Sequence, residues 1–271
     1  MSIPWRHFHK SKVYTKIYAN FYSPLQRIYY RKRGHENVDV LFASYPRSGR
    51  TWVRNFLGIY FSKIYGLKPT IFHHRRKSEL VPTIRFTNNP RNIGLHKNKR
   101  AIYLFRDPRD AVVSFYYHNK NIGGRFKGTL AHYIRSDVGV TRLVNDWNDM
   151  SKLHEYPSDI LYLFYEKMRL NPKREFTRIL KFLEIPVKNK FLADALEESS
   201  FKTMRKEELS HKVERDKNKL FTRKGKIKGF VDDLTREDIE FINNRLKYNL
   251  DPSIFALFKK NGISILDIPK K

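Results

Sequence analysis

Short apolar runs alternate with helix-spaced apolar positions along this chain. Val38-Asp39-Val40-Leu41-Phe42-Ala43 reads as a strand. Val53, Phe56, Leu57, Tyr60, Phe61 and Ile64 then recur at helical spacing. Ala101-Ile102-Tyr103-Leu104-Phe105 and Ile160-Leu161-Tyr162-Leu163-Phe164 are continuous apolar runs, as expected of strands buried on both faces. A helix is predicted from Pro108 to about Asn121, with proline suited to its first turn. Gly123, Gly124 and Gly128 break it. Residues 129–153 read as helical. So do 172–184, opened by Asn171-Pro172, with Phe176, Ile179, Leu180 and Leu183 on one face. Thr235 is a predicted N-cap, with Asp238 at the third helical position. Residues 66–100 and 205–229 read as irregular. Strands alternating with helices imply one α/β domain, a parallel sheet with helices on both faces.

The boundaries are a basic, aromatic N-terminal extension over 1–37 and a domain over 38–271. The extension has no acid before Glu36. Its Tyr14, Tyr18, Phe21 and Leu25 fall at helical spacing, with Lys10, Lys12, Lys16 and Arg27 around them. That pattern suits a helix packed on the domain, and also one lying on an anionic membrane. Over 271 residues, 55 Lys and Arg stand against 27 Asp and Glu, a net charge of +28. Such an excess calls for an anionic partner: a nucleotide, a nucleic acid, an acidic glycan or a membrane surface. With no cysteine, disulfides and thiolate metal sites are excluded. No apolar run is long enough for a bilayer and no signal peptide is visible, so a cytoplasmic location is the default, with membrane association left open.

Candidate chemistry starts at Ser44-Tyr45-Pro46-Arg47-Ser48-Gly49-Arg50-Thr51-Trp52, between the first strand and the first helix. This turn approaches the phosphate-loop pattern G-x-x-x-x-G-K-[ST]. Gly49 and Thr51 match, Ser44 replaces the first glycine, and Arg50 replaces the lysine. Free backbone N–H groups and the positive helix end would hold an oxyanion there. Arg106-Asp107-Pro108-Arg109-Asp110 follows the second apolar run, and Ser114 lies on the next helix. Arg106 can fork onto a phosphate while Ser114 donates a hydroxyl. Asp107 and Asp110 can equally pair with Arg109 and cap the helix. Arg223-Lys224-Gly225-Lys226 is a third basic cluster, where Gly225 would allow close approach of an anion.

Together these segments resemble the cytosolic-type sulfotransferases that use 3′-phosphoadenosine 5′-phosphosulfate (PAPS). Tyr45-Pro46-Arg47-Ser48-Gly49-Arg50-Thr51-Trp52 is similar to the family's 5′-phosphosulfate loop, YPKSGTTW. Arg106 with Ser114 resembles its 3′-phosphate pair. Leu161–Glu166, followed by Asn171-Pro172-Lys173-Arg174-Glu175, resembles the segment with an adenine-side tyrosine. Ser199-Ser200-Phe201-Lys202 and Arg223-Lys224-Gly225 resemble the late cofactor segments. The resemblance covers about residues 38–248 and implies the following roles. Arg47 stands where the family has a lysine at the leaving phosphate oxygen. Ser48, Gly49, Arg50 and Thr51 hold the 5′-phosphate. Trp52, Tyr165 and Phe201 flank adenine. Arg106, Ser114, Arg223, Lys224 and Gly225 hold the 3′-phosphate, and Ser199 belongs to the same cofactor set. The product is adenosine 3′,5′-bisphosphate, and no metal is required.

The implied reaction is in-line sulfuryl transfer to a hydroxyl or amine, and the charge suggests a glycan or lipid acceptor. The family's catalytic histidine position, after a threonine, is matched by Asn88 in Ile84-Arg85-Phe86-Thr87-Asn88. Asparagine can orient an acceptor but cannot take its proton. His96, His73 and His74 are the candidate bases, His96 ranked first. A chain that binds PAPS but transfers weakly is an alternative. So is a P-loop kinase with Asp107 on Mg²⁺. A nucleic-acid-binding protein is the third, although the basic residues form no reader motif and no specific nucleic acid is expected.

Overall fold

The computed structural model describes residues 38–67, 80–89, 98–210, 220 and 222–268. The N-terminal extension and His73, His74 and His96 lie outside these. From Asp39 onward the described chain is one compact unit. Four parallel strands, β1 (Val40–Ser44), β2 (Ile84–Thr87), β3 (Arg100–Phe105) and β4 (Ile160–Phe164), form a sheet in the order β2-β1-β3-β4. The helices are α1 (Arg50–Tyr65), α2 (Pro108–Tyr117), α3 (Leu130–Arg135), α4 (Val140–Lys152), α5 (Tyr165–Leu170), α6 (Pro172–Phe182), α7 (Asn189–Glu198), α8 (Phe201–Ser210), α9 (Arg236–Asn249) and α10 (Pro252–Lys260).

Side chains alternate across each strand, so each strand feeds two cores. Val40 and Phe42 of β1, with Ile102 and Leu104 of β3, pack on Phe56 and Tyr60 of α1 and Phe176 and Ile179 of α6. Leu41, Ala43, Tyr103 and Phe105 face the other way, onto Trp147 of α4, Ile242 of α9 and Phe258 of α10. This two-sided burial explains why β1 and β3 are continuously apolar in sequence.

The structure differs from the sequence reading in three places. Residues 66–100, read as irregular, contain the strand β2, which pairs with β1 over Val40–Ala43. Residues 129–153 are two helices rather than one. The turn between them requires glycine at 139, because a Cβ there would lie 2.1 Å from the Tyr133 carbonyl oxygen. The segment read as a loop over 205–229 begins inside α8, which ends at Ser210. Other local readings hold. Thr235 and Asp238 form the capping box of α9. Asp107 caps α2 through the Arg109 N–H, with Pro108 at the first helical position.

Behind the sheet's C-terminal edge lies a buried carboxyl. Glu166 of α5 accepts a hydrogen bond from the Asp107 N–H at 2.8 Å. Its second oxygen is buried with no hydrogen-bond partner among the described residues. Burial pushes its pKa from 4.5 up to about 7. A raised carboxyl pKa contributes stability below pH 4.5 that is lost as pH climbs through about 7. Glu166→Gln keeps an oxygen for the Asp107 N–H and carries no charge. The variant is therefore expected to exceed wild type at pH 8 by on the order of 2 kcal/mol, with a flatter stability–pH curve. Urea unfolding at pH 5 and pH 8 checks this.

Candidate functional site

All four strands end at one cavity of about 370 Å³. Pro46 to Trp52 follow β1, Asn88 follows β2, Arg106 follows β3, and Tyr165 follows β4; each span or residue contributes to the wall. The chain leaves β1 toward β2 on one side and later returns to β3 on the other. Such a switch in strand order opens a crevice at the carboxyl ends of the strands.

The loop between β1 and α1 needs two unusual backbone conformations. Arg47 has φ 68° and Gly49 has φ 110°. A Cβ on Gly49 would lie 2.8 Å from the Tyr165 ring, so glycine is required twice over. Gly49 is the N-cap of α1 and provides no capping side chain, and no acid lies in the first turn. The first N–H groups of a long helix therefore face the cavity uncapped. Ser48 Oγ, Arg50 Nη1 and Trp52 Nε1 are also buried without hydrogen-bond partners among the described residues.

Arg106 extends from the end of β3 into the same space. Its Nη1 donates to the Arg47 carbonyl at 3.0 Å and its Nη2 to the Lys226 carbonyl at 3.4 Å. The guanidinium carbon lies 4.3 Å from the Tyr165 ring centre. Asp110 approaches Nη2 at 3.7 Å, while Arg106 Nε is buried and unpartnered among the described residues. Ser114 is two turns along α2, and its Oγ accepts from Arg47 Nε at 3.4 Å. Positive charge is thus concentrated. Burial, then the charge of Arg106, pulls Arg47 down to about 10, and burial with Arg54 does the same to Arg50. Both remain protonated at neutral pH. Buried cations that repel one another, with donors lacking partners, form a site that favours a polyanion.

The far wall is aromatic and basic. Phe201 opens α8, and Gly225, at φ 62°, sits against its ring; a Cβ would approach it to 2.6 Å. Trp52 meets Tyr165 edge-on at 6.3 Å. Arg223 donates to Asp233 at 3.0 Å and stacks 4.6 Å over Tyr117. Lys224 pairs with Asp232 and Asp233 at 3.1 and 2.9 Å.

Of the sequence-selected residues, Arg47, Gly49, Arg50, Thr51, Trp52, Asn88, Arg106, Ser114, Tyr165, Phe201, Arg223, Lys224 and Gly225 all line the cavity. Ser48 and Ser199 do not. Ser48 lies buried in the loop, and the Ser199 hydroxyl donates to the Ala195 carbonyl at 2.6 Å at the end of α7. His96 lies outside the described residues. Asp107 is turned away, gripped by the fully buried Arg109 at 2.9 and 2.7 Å. Its carboxylate is thereby lost to the metal role a kinase would need. Sequence reasoning missed His118, Arg125, Arg142 and Arg169, which also line the cavity. His118 had one usable signal: it lies four residues after Ser114, on the same helical face.

Comparison with known proteins agrees with this geometry. A family model described as "Sulfotransferase domain" matches residues 37–253. Mouse "Sulfotransferase 1 family member D1" is 31% identical over 215 residues, 65% of this chain and 72% of that protein. Arabidopsis thaliana "Cytosolic sulfotransferase 13" is 25% identical over 289 residues, 90% of this chain and 88% of that one. Two solved structures share the fold: mouse sulfotransferase SULT7A1 complexed with PAP, and retinol dehydratase with retinol and PAP. The first has TM-score 0.57 and 17% identity, covering 84% of this chain and 89% of that one. The second has TM-score 0.61 and 18% identity, covering 79% and 81%. The phosphate loop, the cation-rich cavity at the strand ends and the family match converge on one assignment: this chain belongs to the sulfotransferase family, enzymes whose sulfuryl donor is PAPS.

Proposed function

We propose that the chain transfers a sulfuryl group from PAPS to a hydroxyl or amine on an anionic acceptor, a glycan or lipid, in the cytoplasm. The donor's fit rests on the uncapped start of α1, the unpartnered donors beside it, and two glycines pressed against aromatic rings. Arg47 would sit at the leaving phosphate oxygen and Gly49, Arg50 and Thr51 would hold the 5′-phosphate, with Ser48 supporting the loop from behind. Trp52, Tyr165 and Phe201 would flank the base. Arg106, Ser114, Arg223, Lys224 and Gly225 would hold the 3′-phosphate, and Ser199 would set the start of α8 and so position Phe201. Bound PAPS supplies an activated sulfuryl group on a phosphate leaving group. Arg47 keeps its charge at neutral pH and stabilises the negative charge developing on that phosphate oxygen. Positioning and fixed charge supply most of the acceleration in transfers of this kind.

The acceptor class rests on one observation. Arg125 and Arg142 line the cavity together with Asn88 and Phe115, and none of these four belongs to the proposed donor set. Arg142 also lies 5.2 Å over the Phe115 ring, which fixes its direction. Two cations there favour a negatively charged acceptor over a neutral one. A matched pair of probes tests this: 4-nitrophenyl β-glucuronide and 4-nitrophenyl β-glucoside differ only at C6, a carboxylate in the first and a hydroxymethyl group in the second, with transfer compared at the ring hydroxyls they share. With labelled PAPS, kcat/KM should favour the glucuronide by roughly tenfold or more, worth about 1.4 kcal/mol. The double variant Arg125→Ala/Arg142→Ala should remove the preference. A wild-type preference for the glucoside sinks the anionic-acceptor reading.

A further inference from the structure

With asparagine at position 88, the acceptor proton needs another destination. We propose that His118 is the general base of the transfer, taking the proton from the acceptor hydroxyl at the mouth of the phosphate loop. This rests on the sulfotransferase reading of the cavity.

The placement carries the argument. α2 starts at the end of β3 and runs along the cavity wall. Ser114, Phe115 and His118 all line that wall. Immediately after Tyr117 the helix widens into a single π-helical turn, His118–Ile122, closed by the Gly123 N–H to the His118 carbonyl at 2.9 Å. Such turns insert a residue and redirect side chains, and they concentrate at functional sites. The His118 ring stacks on Phe115, with centroids 6.1 Å apart and planes 18° from parallel, which fixes its direction. Arg47, whose Nε meets Ser114 Oγ, acts electrostatically on His118 from the phosphate loop. The proposed base thus shares the cavity with the cation assigned to the leaving oxygen. Asn88 enters the same cavity from the end of β2 and is free to orient the acceptor.

The charged surroundings favour the basic form. Burial, then the positive charges of Arg47 and of Arg125 beyond the π-helical turn, lower the imidazole below its ordinary 6.5. Arg142 of α4, stacked over Phe115, adds a further cation on that wall. Neutral imidazole therefore prevails at pH 7, ready to accept a proton. The step balances as follows. The acceptor oxygen bonds to sulfur as its proton passes to the neutral imidazole. The bond from sulfur to the 5′-phosphate oxygen breaks, and that oxygen keeps the electron pair. The imidazolium then returns its proton to solvent.

Two measurements on the full chain test the proposal. In the first, the imidazole signals are followed by NMR against pH, without and with adenosine 3′,5′-bisphosphate. His118 should titrate below 6.5 in the free protein and move up by about half a unit or more when the ligand's phosphates offset Arg47. A bound ligand that leaves the His118 titration unmoved overturns the proposal. A ligand that does not bind at all defeats the cofactor reading beneath it. The second compares two acceptors in His118→Ala and His118→Gln. Transfer to the sugar hydroxyl of 4-nitrophenyl β-glucuronide should fall about 10²- to 10⁴-fold. Transfer to 4-nitrophenol, which ionises near neutral pH unaided, should fall less than about tenfold. Equal losses on both acceptors would make His118 structural and overturn its role as base. If neither variant folds, the wild-type titration decides.

Discussion

Arg106→Ala is expected to abolish the thermal stabilisation that adenosine 3′,5′-bisphosphate confers on the wild-type protein. At a ligand concentration one hundred times Kd, wild type should gain about 2.7 kcal/mol, or roughly 5–10 °C in Tm for a domain of this size. Two effects concentrate that gain on Arg106. Its guanidinium reaches the Arg47 carbonyl, so it organises the phosphate loop as well as offering charge. Its Nε remains buried and unpartnered among the described residues, a donor without an acceptor. Alanine removes both contributions and leaves the buried Asp110 without its cation at 3.7 Å. Burial already raises Asp110 to about 6, and loss of Arg106 raises it further, so at pH 7 the variant should lose some stability without ligand while remaining folded. The expected outcome is therefore a folded protein with a flat response to the bisphosphate. A variant that retains more than half of the wild-type shift would remove Arg106 from the 3′-phosphate site.

Arg47→Gln should leave the bisphosphate bound and reduce transfer by about 10²- to 10³-fold. Arg47 sits at φ 68°, a conformation that glutamine and lysine tolerate about equally badly, so the backbone cost is matched between variants. Charge is then the main difference between them. Arg47→Lys keeps the charge and should retain most of the rate, whereas Arg47→Gln should not. The split between kcat and KM is the informative readout. A transition-state role appears as a fall in kcat with KM nearly unchanged, while an equal rise in KM would mark Arg47 as a ground-state anchor.

Much of this site was legible in the sequence because its parts are local. A strand, a turn with Gly49 and a helix start lie in consecutive residues, and backbone geometry makes such a unit an anion site. β1 and β3 were legible because burial on both faces makes them continuously apolar, and β4 because its run is apolar although its first half is only partly buried. β2 was not. Ile84-Arg85-Phe86-Thr87 is short and bounded by Pro82 and two asparagines, and its pairing partner, β1, lies far back in the chain. The alternative roles of Asp107 could not be separated by spacing alone. The structure decides for the cap and the Arg109 pair, because Arg109 is fully buried and must be neutralised. His118 escaped notice for a different reason. Its importance depends on a π-helical turn and on Arg47, both set by tertiary packing. The family pattern pointed to position 88, where this chain has asparagine.

Net charge, by contrast, was legible but ambiguous. The +28 excess fits nucleotides, nucleic acids, glycans and membranes alike. Only the cavity separates these, by gathering cations from the ends of β1 and β3, from α4 and from the Arg223–Lys224 segment around a space of about 370 Å³. That volume suits a nucleotide and a small part of an acceptor, not a duplex.

The central claim is that this cavity reads two phosphates on one adenosine. Calorimetric titration of the wild-type protein with adenosine 3′,5′-bisphosphate and with AMP tests it directly. The account predicts that the bisphosphate binds at least about 100-fold more tightly, a difference near 2.7 kcal/mol, because AMP leaves Arg106, Ser114 and Arg223 without an anion. Equal affinity for the two ligands would contradict it.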